Sequence, residues 1–288
     1  MRSASIAQPV RIEGRGIFSG ATCAVELTPA PAGSGVTFVK DGVRVAAHPR
    51  NYVEGPQTQN TTAFGADGAQ VSMTEHLLAA LWCAGIDTLD VHCHGPELPN
   101  IDGSALLYYD ALAQVERVTY GERRVLSPAN GIGVPDDYQL LAAQEVIAQD
   151  LREQRFAVLM LKPGTYRIVS YIFAHPELGV QEYVAPLTRE RAASEILPAR
   201  TFITRSEAEQ LQAAGMLRNE DESSALVIRD GVPNSPLRFE NEYARHKVLD
   251  LLGDLACLPF DIQGTLWAVR SGHALNRALA RKLLEVTW

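Results

Sequence analysis

The sequence has no long hydrophobic run, no block of basic residues and little cysteine, and each absence excludes a class of protein. No stretch approaches the roughly 18 consecutive apolar residues that a membrane-spanning helix needs. The N-terminal residues contain no apolar segment of signal-peptide length. The formal net charge is −8 and the isoelectric point is near 5.4, which argues against a nucleic-acid-binding protein. We therefore expect a cytoplasmic monomer with neither a transmembrane segment nor a nucleic-acid partner.

The four cysteines are scattered along the chain and form no C-x-x-C pair. This distribution indicates neither a disulfide framework nor a cysteine zinc site, and it fits a reducing compartment. The chain also contains no H-E-x-x-H, G-x-S-x-G or P-loop sequence. The glycines of GRGIFSG, residues 14–20, lack the strand–turn–helix context of a dinucleotide site. Any chemistry must therefore come from other residues.

The apolar content is sufficient for a sizeable core, because 46% of the 288 residues are hydrophobic and 21% are charged. For the first half of the chain, alternation and helical periodicity predict strands over residues 9–64, a helix over 73–84, a strand over 86–95 and a helix over 105–115. Residues 116–135 are polar and rich in glycine and proline, which is typical of a linker.

The second half of the chain repeats the order strands, helix, strand, helix. The same patterns predict strands within 156–175, helices over 189–195, 206–215, 240–256 and 274–286, and strands near 199–204, 225–231 and 261–273. Residues 138–154 are ambiguous, although AAQEVIAQDLREQ, residues 142–154, resembles a helix. The repeated order predicts an α+β fold made of two similar domains, which we assign to residues 1–122 and 123–288.

The predicted helix ENEYARHKVLDLLGDLA, residues 240–256, carries a polar stripe on an otherwise apolar surface. His246, Asp250 and Asp254 follow one another at intervals of four residues, so their side chains project from one side. A helix this apolar is usually buried, and a buried carboxylate needs a positive partner. The stripe therefore indicates a salt bridge, a protonated histidine or a metal ion, and the spacing alone does not choose among them.

A second cluster lies at the start of the first predicted helix, in VSMTEHLL. Ser72 and Glu75 have the Ser-x-x-Glu spacing of a capping box, which would make Glu75 a structural residue. Alternatively, His76 is a metal ligand and Glu75 is the base that acts on a metal-bound water. The helix N-terminus favours this second interpretation, because it disfavours imidazolium and keeps His76 neutral.

A third cluster is VRSGHALN, in which His273 follows a loop and precedes the last helix. It is either an ordinary first-turn residue or a catalytic acid, and a catalytic acid would need a carboxylate to hold its proton. Asp254 could provide that carboxylate. His92 and His94 share one face of a predicted strand, and we interpret them as its polar face.

Together these segments resemble a known family. The motifs TEHLLAALWCAGID, GPELPNIDGSA, AHPELGVQ, ARTF, LRFENEYARHKVLDLLGDL and SGHALN are similar to those of the UDP-3-O-acyl-N-acetylglucosamine deacetylases. These zinc amidases catalyse the first committed step of lipid A synthesis. The resemblance covers most of residues 9–115 and 156–285, but residues 120–155 do not match. It implies two two-layer α+β sandwich domains, with the helices packed between the sheets and the active site at the domain interface.

The resemblance also implies a metal site. Zn²⁺ would bind His76, His246 and Asp250, although Fe²⁺ could occupy the same ligands. The substrate would be UDP-3-O-(3-hydroxyacyl)-N-acetylglucosamine, a UDP-activated acylated amino sugar, and the reaction would release acetate.

Further roles follow from the same resemblance. The implied catalytic residues are Glu75 as general base, His273 as general acid, Asp254 as the residue that orients His273, and Thr201 as a hydroxyl donor to the developing oxyanion. The implied substrate-binding residues are Lys247 and Phe202 for the sugar nucleotide and Arg270 for a phosphate.

The chain departs from the family pattern at three places. Phe18 stands where the family has histidine, Asn219–Asp221 replace a Gly-Gly-Ser segment, and Ile203-Thr204 replace Gly-Phe after ARTF. Residues 203–220 would form the apolar passage for the acyl chain, or their helix merely packs on the core. Two alternatives therefore stand beside the deacetylase. One is a divergent paralogue that deacylates another N-acyl sugar or nucleotide sugar, and the other is a catalytically silent nucleotide-sugar-binding homologue.

Overall fold

The computed structural model describes residues 2–126, 140–141, 155–160, 167–213, 215 and 224–285. It confirms the predicted α+β class, since helices and several sheets alternate along the chain. The predicted helix-like pattern at 142–154 and the family departure at 219–221 lie outside the described residues. Within the described part of the chain, no helix is long and apolar enough to cross a membrane.

The described helices lie at or near their predicted positions, and most of them have ends that are shifted by one or two residues. They are α1 (Glu75–Ala84), α2 (Leu106–Ala113), α3 (Arg189–Glu195), α4 (Arg205–Ala213), α5 (Glu242–Ala256) and α6 (His273–Glu285). Two 3₁₀ turns, Pro49–Asn51 and Pro56–Thr58, precede α1.

The strands of the first half of the chain are β1 (Arg2–Ile6), β2 (Val10–Arg15), β3 (Thr22–Pro29), β4 (Val36–Lys40), β5 (Val43–Ala46), β6 (Ala63–Ala66), β7 (Ala69–Ser72), β8 (Leu89–His94) and β9 (Arg117–Glu122). The later strands are β10 (Val125–Leu126), β11 (Leu140–Leu141), β12 (Phe156–Met160), β13 (Arg167–His175), β14 (Gly179–Pro186), β15 (Phe202–Thr204), β16 (Leu226–Arg229), β17 (Val232–Pro233), β18 (Asp261–Ile262) and β19 (Gly264–Val269).

Two five-stranded sheets have the same topology. The first has the order β2-β3-β8-β4-β5 and the second the order β11-β12-β19-β13-β14. In each sheet the third and fourth strands pair in parallel and every other pair is antiparallel. The central strand of each sheet is the last of its five strands along the chain. It is β8, which comes after α1, in the first sheet and β19, which comes after α5, in the second. The division at residues 122 and 123 into two domains stays a prediction.

Alternating apolar residues explain which face of each sheet is buried. In the first sheet, Leu27, Val91, Phe38 and Val45 form one row across four strands, and all four are fully buried. Because side chains alternate between faces with a period of two, one such row fixes the register of the whole sheet. The second sheet has an equivalent buried row, formed by Tyr183, Tyr171, Ala268 and Ala157.

The predicted linker at 116–135 is wrong for part of its length. Residues 117–122 form β9, which pairs antiparallel with β1, and Val125–Leu126 pairs in parallel with β18. The segment is polar because most of the β9 side chains are exposed. A strand that is stabilised by backbone pairing at a surface needs few apolar residues, so composition alone misled the prediction.

Candidate metal and catalytic site

The site forms where α1 and α5 cross, and Gly253 makes the crossing possible. A Cβ atom at residue 253 would lie 2.1 Å from the carbonyl oxygen of Glu75, far inside van der Waals contact. The absence of a side chain lets α5 approach the first turn of α1 closely. The polar stripe of α5 is therefore buried against the residues that begin α1.

This crossing brings together the three residues predicted as metal ligands. His76, His246 and Asp250 are all buried, and one potential ligand atom from each lies within 4.8 Å of the others. The two imidazole rings meet edge to face, with centroids 5.3 Å apart. Two nitrogens and one carboxylate oxygen form a donor set that suits zinc and leaves a position open for water or substrate.

Hydrogen bonding assigns the free nitrogen of one ligand. His246 Nδ1 lies 3.1 Å from the carbonyl oxygen of Ala199, which can only accept, so Nδ1 carries the proton. The lone pair is then on Nε2, which lies 3.4 Å from Asp250 Oδ1. The other imidazole also fits a ligand, because the buried His76 Nδ1 has no hydrogen-bond partner among the residues described.

Both imidazoles are held neutral, as metal ligands must be. Burial, reinforced by the nearby His246, lowers the pKa of His76 to about 3. Burial also lowers the pKa of His246, and it outweighs the opposing effect of Asp250. Neutral imidazoles retain the nitrogen lone pair that a cation would bind.

The carboxylate of Asp250 is held in its charged form. Burial alone would raise its pKa, but the Lys247 ammonium, 2.8 Å from Oδ2, and the surrounding histidines hold the pKa well below its usual range. The Lys247 pKa is raised in return, because Asp250 outweighs the effect of burial. The same ammonium lies 5.4 Å from the centroid of the Phe202 ring, within the range of a cation–π contact.

Glu75 is the first residue of α1, with Thr74 as its N-cap residue. The capping-box interpretation of Ser72 and Glu75 is therefore wrong, because that motif needs the glutamate at the third helical position. The Glu75 carboxylate is instead held by a preceding loop: Oε2 accepts from Thr62 N at 3.0 Å and from Thr61 Oγ1 at 3.1 Å. Burial, with nearby Asp254 and Asp250, raises the Glu75 pKa to about 7, although His273 opposes the shift.

His273 lies opposite Glu75 at the start of α6. Its Nδ1 is 3.0 Å from Asp254 Oδ2, and its Nε2 faces Glu75 Oε1 at 4.0 Å and Asp250 Oδ2 at 3.9 Å. Burial alone would lower its pKa, but Asp254 and Asp250 outweigh burial and raise it to about 9. The geometry thus places a proton donor and a proton acceptor beside the three potential ligands.

Thr201 completes this group of polar residues. Its Oγ1 lies 3.4 Å from His76 Nε2 and 3.3 Å from His246 Nε2. Its backbone N–H donates to the Gly103 carbonyl at 2.6 Å. The preceding residue, Arg200, forms a buried ion pair with Glu242 at the start of α5, which ties the Thr201 backbone to the helix that carries His246.

The remaining predicted substrate-binding residues border this site to different degrees. The Phe202 ring packs against Tyr243, with centroids 4.8 Å apart, and lies 5.9 Å from the His246 ring. Arg270 lies three residues before His273 and has a positive φ of 50°, while its backbone N–H donates to the Ile172 carbonyl. The structure thus places Phe202 against His246, whereas the substrate-binding roles of Phe202 and Arg270 stay predictions.

One family departure has a clear structural role. Thr204 is fully buried, and its N–H and hydroxyl both donate to Glu207 Oε2 at 2.9 Å. The Glu207 N–H in turn contacts Thr204 Oγ1 at 3.3 Å, which forms a reciprocal cap at the start of α4. Phe18 is half-buried, and its N–H donates to Glu97. Residue 204, for which the resemblance implies an aromatic side chain, thus caps a helix in this chain.

Sequence reasoning missed several residues that hold Asp254 and Glu75 in place. Asn276 donates to Asp254 Oδ2 at 2.8 Å, and Thr62 Oγ1 donates to Asp254 Oδ1. Asn276 lies three residues after His273, so the shared helical face was an available signal. Thr61 and Thr62 lie in a loop without periodicity, and no sequence pattern pointed to them.

Comparisons with known proteins identify relatives of the whole chain. The family model for UDP-3-O-acyl N-acetylglycosamine deacetylases (LpxC) matches residues 3–285. A UDP-3-O-acyl-N-acetylglucosamine deacetylase of Anaeromyxobacter sp. (strain Fw109-5) is 36% identical over 285 residues, which cover 97% of this chain and 88% of the relative. The deacetylase of Trichormus variabilis is 34% identical over 294 residues, which cover 100% of both chains. The deacetylase of Syntrophotalea carbinolica is 33% identical over 282 residues, which cover 96% of this chain and 86% of the relative.

Proposed function

The chain belongs to the family of UDP-3-O-acyl N-acetylglycosamine deacetylases, and from that premise we propose that it removes acetate from UDP-3-O-(3-hydroxyacyl)-N-acetylglucosamine. Members of this family are hydrolases of an amide bond, and the predicted resemblance is confirmed. The finer parts of the proposal are the substrate, the zinc ion and a place at the committed step of lipid A biosynthesis.

The metal part of the proposal rests on the ligand cluster. His76, His246 and Asp250 would hold a Zn²⁺ ion, and Fe²⁺ suits the same donors. When bound, such an ion polarises an amide carbonyl and lowers the pKa of a coordinated water to about 7. The neutral imidazoles and the ionised carboxylate support this assignment, because each presents a lone pair to the same small space.

The proton transfers are assigned to two residues that face each other. Glu75 takes a proton from the attacking water through Oε1, the oxygen that its loop contacts leave free. His273 gives a proton from Nε2 to the amine nitrogen as the C–N bond breaks, and Asp254 orients it through Nδ1. Water adds to the acetamide carbon, so the products are acetate and the free amine.

Binding of the remaining substrate is assigned to the other predicted residues. Thr201 donates its hydroxyl to the oxygen that gains negative charge, which fits its position beside both imidazoles. Lys247 and Phe202 contact the sugar nucleotide, and Arg270 contacts a phosphate. For Lys247 the ion pair with Asp250 supports a place beside the reacting group.

The single observation that carries the proposal is the joint burial of ligands, base and acid. Glu75 and His273 are 2% and 4% exposed, and their facing atoms lie 4.0 Å apart next to the ligand cluster. Burial of so many ionisable groups costs stability, and clusters of this kind are typical of sites that catalyse a reaction or bind a cation. A silent binding protein would have no need of base, acid and orienting carboxylate together.

The test is acetate release by the purified protein, with elemental analysis of the same sample. We expect turnover of UDP-3-O-(3-hydroxyacyl)-N-acetylglucosamine and about one zinc per chain, the ion that three ligands can hold. Plain UDP-N-acetylglucosamine serves as the matched substrate without the acyl chain. If metal is present and neither compound is turned over, the proposed substrate is wrong.

A second candidate is a divergent paralogue that acts on another N-acyl sugar or nucleotide sugar. The observation that favours it is Thr204, which is committed to capping α4 at a position where the family has an aromatic residue. Faster turnover of the plain nucleotide sugar than of the acylated one would favour this candidate.

A further inference from the structure

One loop lies between the proposed base and the proposed acid. Thr61 and Thr62 precede β6 and are almost completely buried, at 1% and 0% exposure. No substrate reaches them, so any role in the reaction must be exerted through other residues. Their hydrogen bonds run to the carboxylates of both Glu75 and Asp254.

On one side, the loop fixes the base. Thr62 N–H and Thr61 Oγ1 both donate to the same oxygen of Glu75, Oε2. The carbonyl of Thr62 also accepts from the backbone N–H and the hydroxyl of Thr74, the residue before Glu75. The loop therefore fixes the start of α1 and the orientation of the Glu75 carboxylate. In this orientation Oε1 faces His273.

On the other side, the same residue fixes the partner of the acid. Thr62 Oγ1 contacts Asp254 Oδ1, and a carboxylate only accepts, so the hydroxyl donates its proton there. Asn276 donates to the second oxygen, Oδ2, which also faces His273 Nδ1. With both oxygens engaged, the carboxylate has one favoured rotation, and that rotation sets the imidazole.

The loop is itself anchored to the helix that carries the acid. Arg277, buried one turn after His273 on α6, donates to the carbonyl oxygens of Thr58 at 3.2 Å and Thr61 at 3.1 Å. Its guanidinium is balanced by Glu54 at 2.8 Å. The loop and α6 are thus joined independently of the contacts to the two carboxylates.

We propose that Thr62 is a positioning residue that fixes Glu75 and the Asp254–His273 pair relative to each other, through its backbone N–H and its hydroxyl respectively. This inference rests on the proposed amide hydrolysis, in which the two groups must act on one bond. The backbone contact survives any substitution except proline, so a change of side chain removes only the contacts of the hydroxyl, which lies beside Asp254 Oδ1 and 3.4 Å from His273 Nδ1.

The experiment compares three variants of Thr62 with a matched variant in the preceding 3₁₀ turn, Pro56–Thr58. Thr62→Val and Thr62→Ala remove the hydroxyl, whereas Thr62→Ser keeps it. The alanine variant controls for side-chain size, because the second methyl group of valine would take the place of the hydroxyl at its short contact with Asp254. Thr58→Val is the control, because Thr58 is equally buried but its hydroxyl donates only to the Gly55 carbonyl.

The expected result is a loss of kcat that follows the hydroxyl. Thr62→Val and Thr62→Ala should lower kcat by about 10- to 100-fold and change KM less than about twofold, the range for residues that orient a catalytic group. Thr62→Ser and Thr58→Val should stay within about threefold of the parent, and all four should keep the parent's metal content. Parent-like kcat in both hydroxyl-free variants, or an equal loss in Thr58→Val, would overturn the proposal.

A second measurement does not depend on turnover. The Nδ1 proton of His273 in the zinc-loaded protein gives a downfield NMR resonance, assigned by its absence in His273→Ala. We expect this resonance to shift in Thr62→Ala and Thr62→Val and to stay unchanged in Thr62→Ser and Thr58→Val. If the parent releases no acetate, the proposed function fails, while this resonance still decides whether Thr62 positions His273. An unchanged resonance in the hydroxyl-free variants contradicts the proposal.

Discussion

The two five-stranded sheets have the same strand order, but the helices associated with them carry very different chemistry. In the first half of the chain, α1 holds its two functional candidates in its first turn and is apolar beyond it. In the second half, α5 carries a polar stripe over more than two turns, from His246 to Asp254. A repeated topology therefore fixes where helices lie but not which polar side chains they bury.

The last helices of the two halves differ in the same way. In α2 the large buried polar side chain is Tyr108, whose hydroxyl donates to the Pro99 carbonyl. In α6 the first turn buries His273 and Asn276, both of which contact Asp254. The halves contribute unequally: among the described residues, the proposed ligands, base and acid come together where α1 meets α5 and α6. Substitutions matched between the halves test this asymmetry.

The largest expected effect comes from Glu75, the proposed base, which the first half contributes. Glu75→Gln should lower kcat by about 10²- to 10⁴-fold, because the amide cannot take a proton from water. Metal content should stay near the parent's, since His76, His246 and Asp250 are unchanged. Acetate release and elemental analysis check both statements. Glu190→Gln is the control, because Glu190 also lies in the first turn of a helix but is exposed. Loss of metal in Glu75→Gln would make Glu75 a ligand instead of a base.

The next effect concerns the contact between the halves. Gly253→Ala should lower the free energy of unfolding by about 1–3 kcal/mol, because the new Cβ collides with the Glu75 carbonyl and forces the helices apart. Urea unfolding measures the loss. In Gly121→Ala the Cβ meets no atom within 4 Å, and we expect a change of less than about 0.5 kcal/mol. Equal stability of the two variants would mean that α1 and α5 do not need the close approach.

A smaller effect is expected from the helix of the second half that holds the acid. Asn276→Ala removes one of the hydrogen bonds to Asp254, so kcat should fall by about tenfold while metal content is kept. Steady-state kinetics with the acylated nucleotide sugar check this. An unchanged kcat would show that Asp254 keeps its orientation without Asn276.

The smallest effect is expected at the corresponding helix of the first half. Tyr108→Phe removes a buried hydrogen bond to the Pro99 carbonyl and should cost about 1 kcal/mol of unfolding free energy. We expect kcat to stay within about twofold, because the Tyr108 hydroxyl donates to the Pro99 carbonyl and not to a residue assigned to the reaction. Thermal unfolding and kinetics separate the two quantities. A tenfold loss of kcat, as expected for Asn276→Ala, would remove the asymmetry between α2 and α6.

Much of the fold was predictable because its signals are local. The helices over residues 189–195 and 240–256 followed from periodicity, and the repeated order of strands and helices anticipated the shared topology of the two sheets. The strand β9 was missed because its stability comes from pairing with β1, a partner more than a hundred residues away in the chain. Composition carries no information about such a partner.

The sequence by itself determined which residues share a helical face, and so the stripe of His246, Asp250 and Asp254 could be read directly. Only the tertiary structure decided what that stripe meets, because the contacts with Glu75 and Thr62 join segments far apart in the chain. It also decided that Glu75 belongs to the site and not to a capping box, since its pKa and its partners depend on burial. Periodicity is a property of neighbouring residues, whereas ionisation and orientation are set by whatever the fold packs beside them.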